Sequence, residues 1–201
     1  MGPVPGLELN GDRPPADVPE KLLIAASGSI ALLALPSYLH ALRCAGVRRI
    51  AAVLSPTAER FLPARTLRLV CDGVYTEEDH GRGHVALGRW PDHVLALPAT
   101  AHLLGCMAQG LAPSLLAATL IATEAPITLV PAMNAAMWRN PAVRRNVATL
   151  RADGHQIVDP VPGLTYEVAS GELVEAGATP PPDALLQAIA EHPRRAGASA
   201  R

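Results

Sequence analysis

Short runs of consecutive apolar residues, each closing on a small, hydroxylated or Pro-containing turn, constrain this chain more than any other feature. Residues 21–26, 49–54, 94–97, 127–130 and 156–159 read as such runs. A strand with one wet face alternates apolar and polar residues. A run that stays apolar throughout has both faces covered, and that is the mark of a parallel sheet between helical layers. Helix-like stretches fill the intervals. The first reaches Ala45 with Leu32, Leu35, Leu39 and Leu42 on one face, and Gly46 ends it. Pro36 inside it marks a kink or a later start. Others begin at Ser55-Pro56-Thr57, follow Pro98-Ala99-Thr100-Ala101 to about residue 110, and span 114–123, 141–153 and 183–191. Strands alternating with helices predict an α/β chain with three layers and a mainly parallel sheet.

Domain limits follow from composition. Residues 1–20, rich in Pro, Gly and Asp, read as a tail, 21–191 as one domain, and 192–201 as a second tail. Within the domain, the Pro, Gly and Glu of 161–182 suggest a substrate flap. The net charge of −1 offers nothing to a nucleic-acid groove or an anionic membrane. Cys44, Cys71 and Cys106 are odd in number and lack CxxC spacing, which argues against a disulfide framework or a metal site. The start is not a basic end followed by an apolar core, so no signal peptide is read. No apolar run approaches the roughly 18 residues of a membrane span. A cytoplasmic protein is expected.

In parallel sheets, ligands sit beyond the carboxyl ends of the strands. Four runs end there in comparable loops: 27–30, 55–57, 98–101 and 131–134. Gly28, Ser29, Ser55 and Thr57 offer backbone N–H groups and hydroxyls to a phosphate. Ser and Thr also cap helices with nothing bound, so one such loop says little and four together say more. Neither GxGxxG nor GxxxxGK[ST] occurs.

The run Pro131-Ala132-Met133-Asn134-Ala135-Ala136-Met137-Trp138 follows an apolar strand. Its Pro has no N–H for the ladder, so the run reads as an opening into a soft, polarizable turn with one amide. It suits a flat ring beside a small polar group, or a turn of core methionines. His84, between the glycines of 80–83 and an ordered stretch, is placed either to work as an acid or base or simply to meet solvent.

Taken in order, Ser27-Gly28-Ser29-Ile30-Ala31, His84-Val85-Ala86-Leu87 with Arg89-Trp90, Pro98-Ala99-Thr100-Ala101 and the 131–138 run resemble the homo-oligomeric flavin-containing cysteine decarboxylases. That family includes phosphopantothenoylcysteine decarboxylases and the peptidyl-cysteine decarboxylases of lantibiotic pathways. The likeness covers about residues 21–160. It implies a Rossmann-like (flavodoxin-like) fold, FMN, and trimers that can assemble into dodecamers. It further implies cofactor contacts from Gly28, Ser29, Ile30, Ser55, Thr57, Thr100, Ala101, Ala132 and Met133. His84 would be catalytic, and Asn134 and Met137 would meet the substrate. There are two departures: His102 and Pro113-Ser114 stand where the family often has Asn and Asp-Asn.

Loss of CO2 from a cysteine leaves electrons on the α carbon, and oxidation of the side chain to a thioaldehyde gives them somewhere to go. A flavin is the acceptor for the hydride that this oxidation releases. In phosphopantothenoylcysteine decarboxylases a flap cysteine helps return those electrons. The matching stretch, Ser170-Gly171-Glu172-Leu173-Val174-Glu175-Ala176-Gly177, has none, and no fused synthetase domain follows within these residues. The oxidised enethiol is therefore the expected product, formed from a precursor peptide ending in Cys and destined for a thioether ring. Phosphopantothenoylcysteine decarboxylation and a non-catalytic FMN-binding regulatory subunit are the alternatives.

Overall fold

The computed structural model describes residues 18–167 and 170–192; the expected terminal tails lie almost wholly outside them. β1 (Lys21–Ala26) leads through a 3-10 turn, Ile30–Ala34, into α1 (Leu35–Cys44). Pro36 thus sits in the first turn of the helix, where its missing N–H costs nothing. β2 (Arg49–Leu54), α2 (Pro56–Phe61), α3 (Ala64–Leu67) and β3 (Gly73–Tyr75) follow. A second 3-10 turn, Glu77–Arg82, precedes α4 (His84–Arg89) and β4 (His93–Ala99). Then come α5 (Ala101–Ala108), α6 (Leu115–Ala122), β5 (Ile127–Pro131), α7 (Ala135–Arg139), α8 (Pro141–Ala152) and β6 (Gln156–Ile157). A hairpin of β7 (Val161–Glu167) and β8 (Glu172–Ala178) separates the sheet from α9 (Pro182–Glu191).

The sheet has six strands in the order β3-β2-β1-β4-β5-β6, every pair parallel. Alternate residues serve opposite layers, as the pleat requires. Leu22, Ile24 and Ala26 pack with Leu35, Leu39, Leu42, Leu185 and Ile189 of α1 and α9. Leu23 and Ala25 face Leu87, Leu104, Leu115, Leu116, Val147 and Leu150 on the other side. Each fully buried Leu contributes about 1.5–3 kcal/mol. No helix among the described residues is long and apolar enough to cross a membrane.

Three details differ from the sequence expectation. β3 has only three residues, one of them Gly, and has no apolar run to announce it. β4 and β5 continue through Pro98 and Pro131, where the strands were expected to stop. The register shifts by one residue between Ala96 and Ala99, so that Pro131 pairs with Ala99, and the next N–H along, from Ala132, donates to Ala99 O at 3.0 Å. The segment expected to form a flap is an antiparallel ribbon, with Tyr166 opposite Leu173 and Glu167 opposite Glu172.

Candidate active site at the carboxyl edge of the sheet

The four loops read from the sequence meet at one edge and are laced together. Ser27 is buried and carries most of the lacing. Its N–H and Oγ both donate to Pro98 O, at 3.1 and 2.8 Å, and its Oγ accepts from Thr100 N at 2.9 Å. Ser55 N donates to Ala26 O at 3.0 Å, and the Ala132–Ala99 bond closes the row. Gly28 stands so close to the next loop that a Cβ there would lie 2.5 Å from Thr57 Cβ. Only glycine lets the two loops approach that closely.

Four of the polar side chains predicted for the site cap helices. Ser29 Oγ accepts from Ala31 N, Ser55 Oγ from Ala58 N, Thr100 Oγ1 from Leu103 N, and Asn134 Oδ1 from Met137 N at 2.8 Å. Capping leaves the outward N–H groups of the first turns for a ligand. It also orients Asn134: with Oδ1 held by the helix, the two Nδ2 donors point away from it. Ile30 and Met137 are each 44% exposed on this edge, Met133 is half-buried and Ala132 buried. Trp138 is held by Arg144, whose guanidinium carbon lies 5.0 Å from the ring.

His84 is the first residue of α4. Gly83 before it has φ +142°, a backbone region that L side chains rarely adopt, so the turn into α4 depends on that glycine. One turn along, Gly88 lets α4 press on α6: a Cβ there would stand 3.0 Å from Ala122 C, and Thr123 Oγ1 donates to Gly88 O at 2.6 Å. His84 is thereby fixed and half-buried. β3, which leads to the helix of His84, and β5, which leads into Asn134, stand four strand positions apart; at about 4.8 Å per strand, that is roughly 19 Å between the two strands.

The departures are accounted for locally. Leu115 N at the start of α6 donates to the Glu77 carboxylate at 3.0 Å, and Ser114 Oγ takes Ala117 N at 3.2 Å. His102 is exposed on α5, with Nε2 3.5 Å from Cys106 Sγ. Burial pushes the Cys106 thiol upward, and it pushes Cys71 to about 11 against the pull of Arg43. No Cys lies on the β7–β8 ribbon. Among the described residues no group of three or more His, Cys, Asp or Glu could hold a metal. Sequence reasoning missed the lacing role of Ser27, the Glu77 cap, and Arg60, whose Nη2 donates to Thr57 Oγ1 at 3.2 Å.

Comparison with known proteins decides what this edge belongs to. The family model described as Flavoprotein matches residues 13–192. Mersacidin decarboxylase of Bacillus sp. (strain HIL-Y85/54728) is 38% identical over 173 residues, 85% of this chain and 89% of that protein. The chain is a member of the flavin-containing cysteine decarboxylase family. Within that family, the FMN-dependent cysteine decarboxylase SpaF is 38% identical at a TM-score of 0.70, over 84% of this chain and 94% of SpaF. An EpiD variant complexed with its substrate peptide DSYTC superposes at a TM-score of 0.79 with 25% identity, over 84% of this chain and 97% of EpiD. The residues present fit a flavin. Gly28 lets the first two loops approach more closely than a Cβ would allow, first-turn N–H groups line the same edge, and exposed Ile30 and Met137 offer apolar contact.

Proposed function

We propose that the chain is an FMN-dependent enzyme that oxidatively decarboxylates the C-terminal cysteine of a precursor peptide, giving an aminoenethiol. The observation that carries the reading is the 38% identity with mersacidin decarboxylase across nearly the full length of both chains. The proposed cofactor contacts are Gly28, Ser29, Ile30, Ser55 and Thr57 at the phosphate end, with Thr100, Ala101, Ala132 and Met133 along the ring. Bound FMN supplies the acceptor for the two electrons and the hydrogen that leave the cysteine β carbon.

The chain's own residues do the rest. His84 takes the proton from the substrate thiol, a task for which an imidazole nitrogen can serve as the base. Asn134 turns its two Nδ2 donors to the substrate carboxylate, and Met137 packs beside it. With the side chain at the thioaldehyde level, the C–C bond to the carboxyl breaks, CO2 leaves, and the electron pair forms the C=C bond of an enethiolate. The peptide loses CO2 and two hydrogens in all. The ribbon of β7 and β8 is the proposed flap, and because it has no cysteine to return electrons the product stays oxidised.

The separation of the strands that lead to His84 and Asn134 supports a homo-oligomer, trimeric or built up from trimers into a dodecamer, in which one copy lends His84 to the Asn134 of another. Mass spectrometry of a peptide ending in Cys after incubation with the holoenzyme tests the reaction. Loss of CO2 plus two hydrogens is expected. Loss of CO2 alone would transfer the assignment to the coenzyme A type of chemistry, and an unchanged peptide would end the reading.

A further inference from the structure

A cavity of about 340 Å3 lies between the sheet and α4, beside the edge strand and away from the four laced loops. It exists because the register sets two of the smallest residues, Ala51 of β2 and Gly73 of β3, next to each other on the floor. The Tyr75 ring folds over Gly73, where a Cβ would stand 3.2 Å from Tyr75 Cε2. Leu87 and Trp90 close the side toward α4. The volume falls at the small end of ligand pockets, which run from about 300 to 1,000 Å3.

Charge is distributed unevenly along the cavity. At the end where β2 and β3 begin, the Asp72 carboxylate is already committed, accepting from Ile50 N at 2.6 Å and Arg43 Nη2 at 2.9 Å. Arg49, beside it, makes no side-chain hydrogen bond or ion pair among the described residues. Two guanidinium groups against one carboxylate leave that end positive. At the other end Asp79 uses Oδ2 for Thr76 N at 3.0 Å and Thr76 Oγ1 at 3.5 Å, and Oδ1 accepts no hydrogen bond among the described residues. Aromatic walls, a guanidinium that makes no hydrogen bond among the described residues at one end, though it lies in the field of Asp72, and a carboxylate oxygen at the other describe a ligand.

We propose that this cavity is a second binding site, for a small planar aromatic acid with a hydroxyl or amino group at its far end. The ring lies along Tyr75 and Trp90, the ligand carboxylate pairs with Arg49, and the distal group donates to Asp79. None of these four residues is among the proposed decarboxylation residues, although Gly83, next to His84, also lines the cavity.

Calorimetric titration of the flavin-loaded full chain with 6-hydroxy-2-naphthoate tests it. Saturable binding is expected, weakened about tenfold or more by Arg49→Gln and by replacing the probe with 2-naphthol, which lacks the carboxylate. Ala51→Leu should fill the floor and abolish binding with peptide turnover unchanged. Arg49 is on the surface, so the Arg49→Gln arm holds even if Ala51→Leu folds poorly. Absence of binding at about 1 mM probe would overturn the site. So would equal affinity for Arg49→Gln, or a cavity filled by a second copy's side chains in the assembled enzyme.

Discussion

Ser27 and Gly28 do different jobs on adjacent positions. The first holds two backbone groups of a loop 71 to 73 residues away through three hydrogen bonds, and the second makes room for Thr57. That Ser, Gly and Thr would gather at this edge is legible in the sequence, because they follow apolar runs. What Ser27 bonds to is not, since nothing local encodes a partner so distant. Gly28→Ala should force Thr57 aside, lowering stability by about 1–3 kcal/mol and weakening flavin retention, read by thermal melting and visible absorbance. An unchanged melt with full colour would contradict that close approach. His84 tests the chemistry without touching the lacing. His84→Asn should keep the flavin spectrum and the melting temperature and lose CO2 release by about a hundredfold or more. Near-parental turnover would remove it from the mechanism.

Among the elements, the apolar runs forecast five of the six sheet strands. β3 escaped because three residues, Gly73 among them, carry no periodicity; its position is fixed by side chains around it. The prolines misled in a related way. Pro98 and Pro131 lack a donor, yet each strand continues: the register shifts by one residue around Pro98, and past Pro131 the N–H of Ala132 donates to Ala99 O. Asp72 shows how the short edge strand is pinned. Burial alone would raise its carboxyl, but the bond from Ile50 N and the Arg43 guanidinium outweigh that and hold it below the usual carboxylate range. A group whose folded value is lowered stabilises above its unfolded value and loses that contribution as pH falls through the folded one. Asp72→Asn should therefore cost less than about 1 kcal/mol at neutral pH, since the pair is exposed, and the difference should fade as pH drops below the ordinary Asp range and the folded carboxylate takes up its proton, as followed by denaturant midpoints. A cost that persists in acid would mean the carboxylate is not its source.

For the whole molecule, the sheet order matters more than any single contact. It puts β3, which leads to the helix of His84, at one flank and β5, which leads into Asn134, four strands away. The sequence showed both residues and could not show that distance, because strand order depends on which crossovers the chain takes. Two inactive proteins, His84→Asn and Asn134→Ala, should recover activity when unfolded and refolded together. If each site draws one residue from each of two copies, random mixing restores about a quarter of the parental rate. No recovery would mean that each copy works alone.

In the proposed reaction, electrons leave the peptide and are not given back. Anaerobic mixing of the flavin-loaded chain with an excess of a peptide ending in Cys measures this directly. The yellow absorbance should be lost in proportion to enethiol formed, about one per flavin, and return only when oxygen is admitted. Absorbance that never changes, or that recovers without oxygen while CO2 continues to form, would contradict the account.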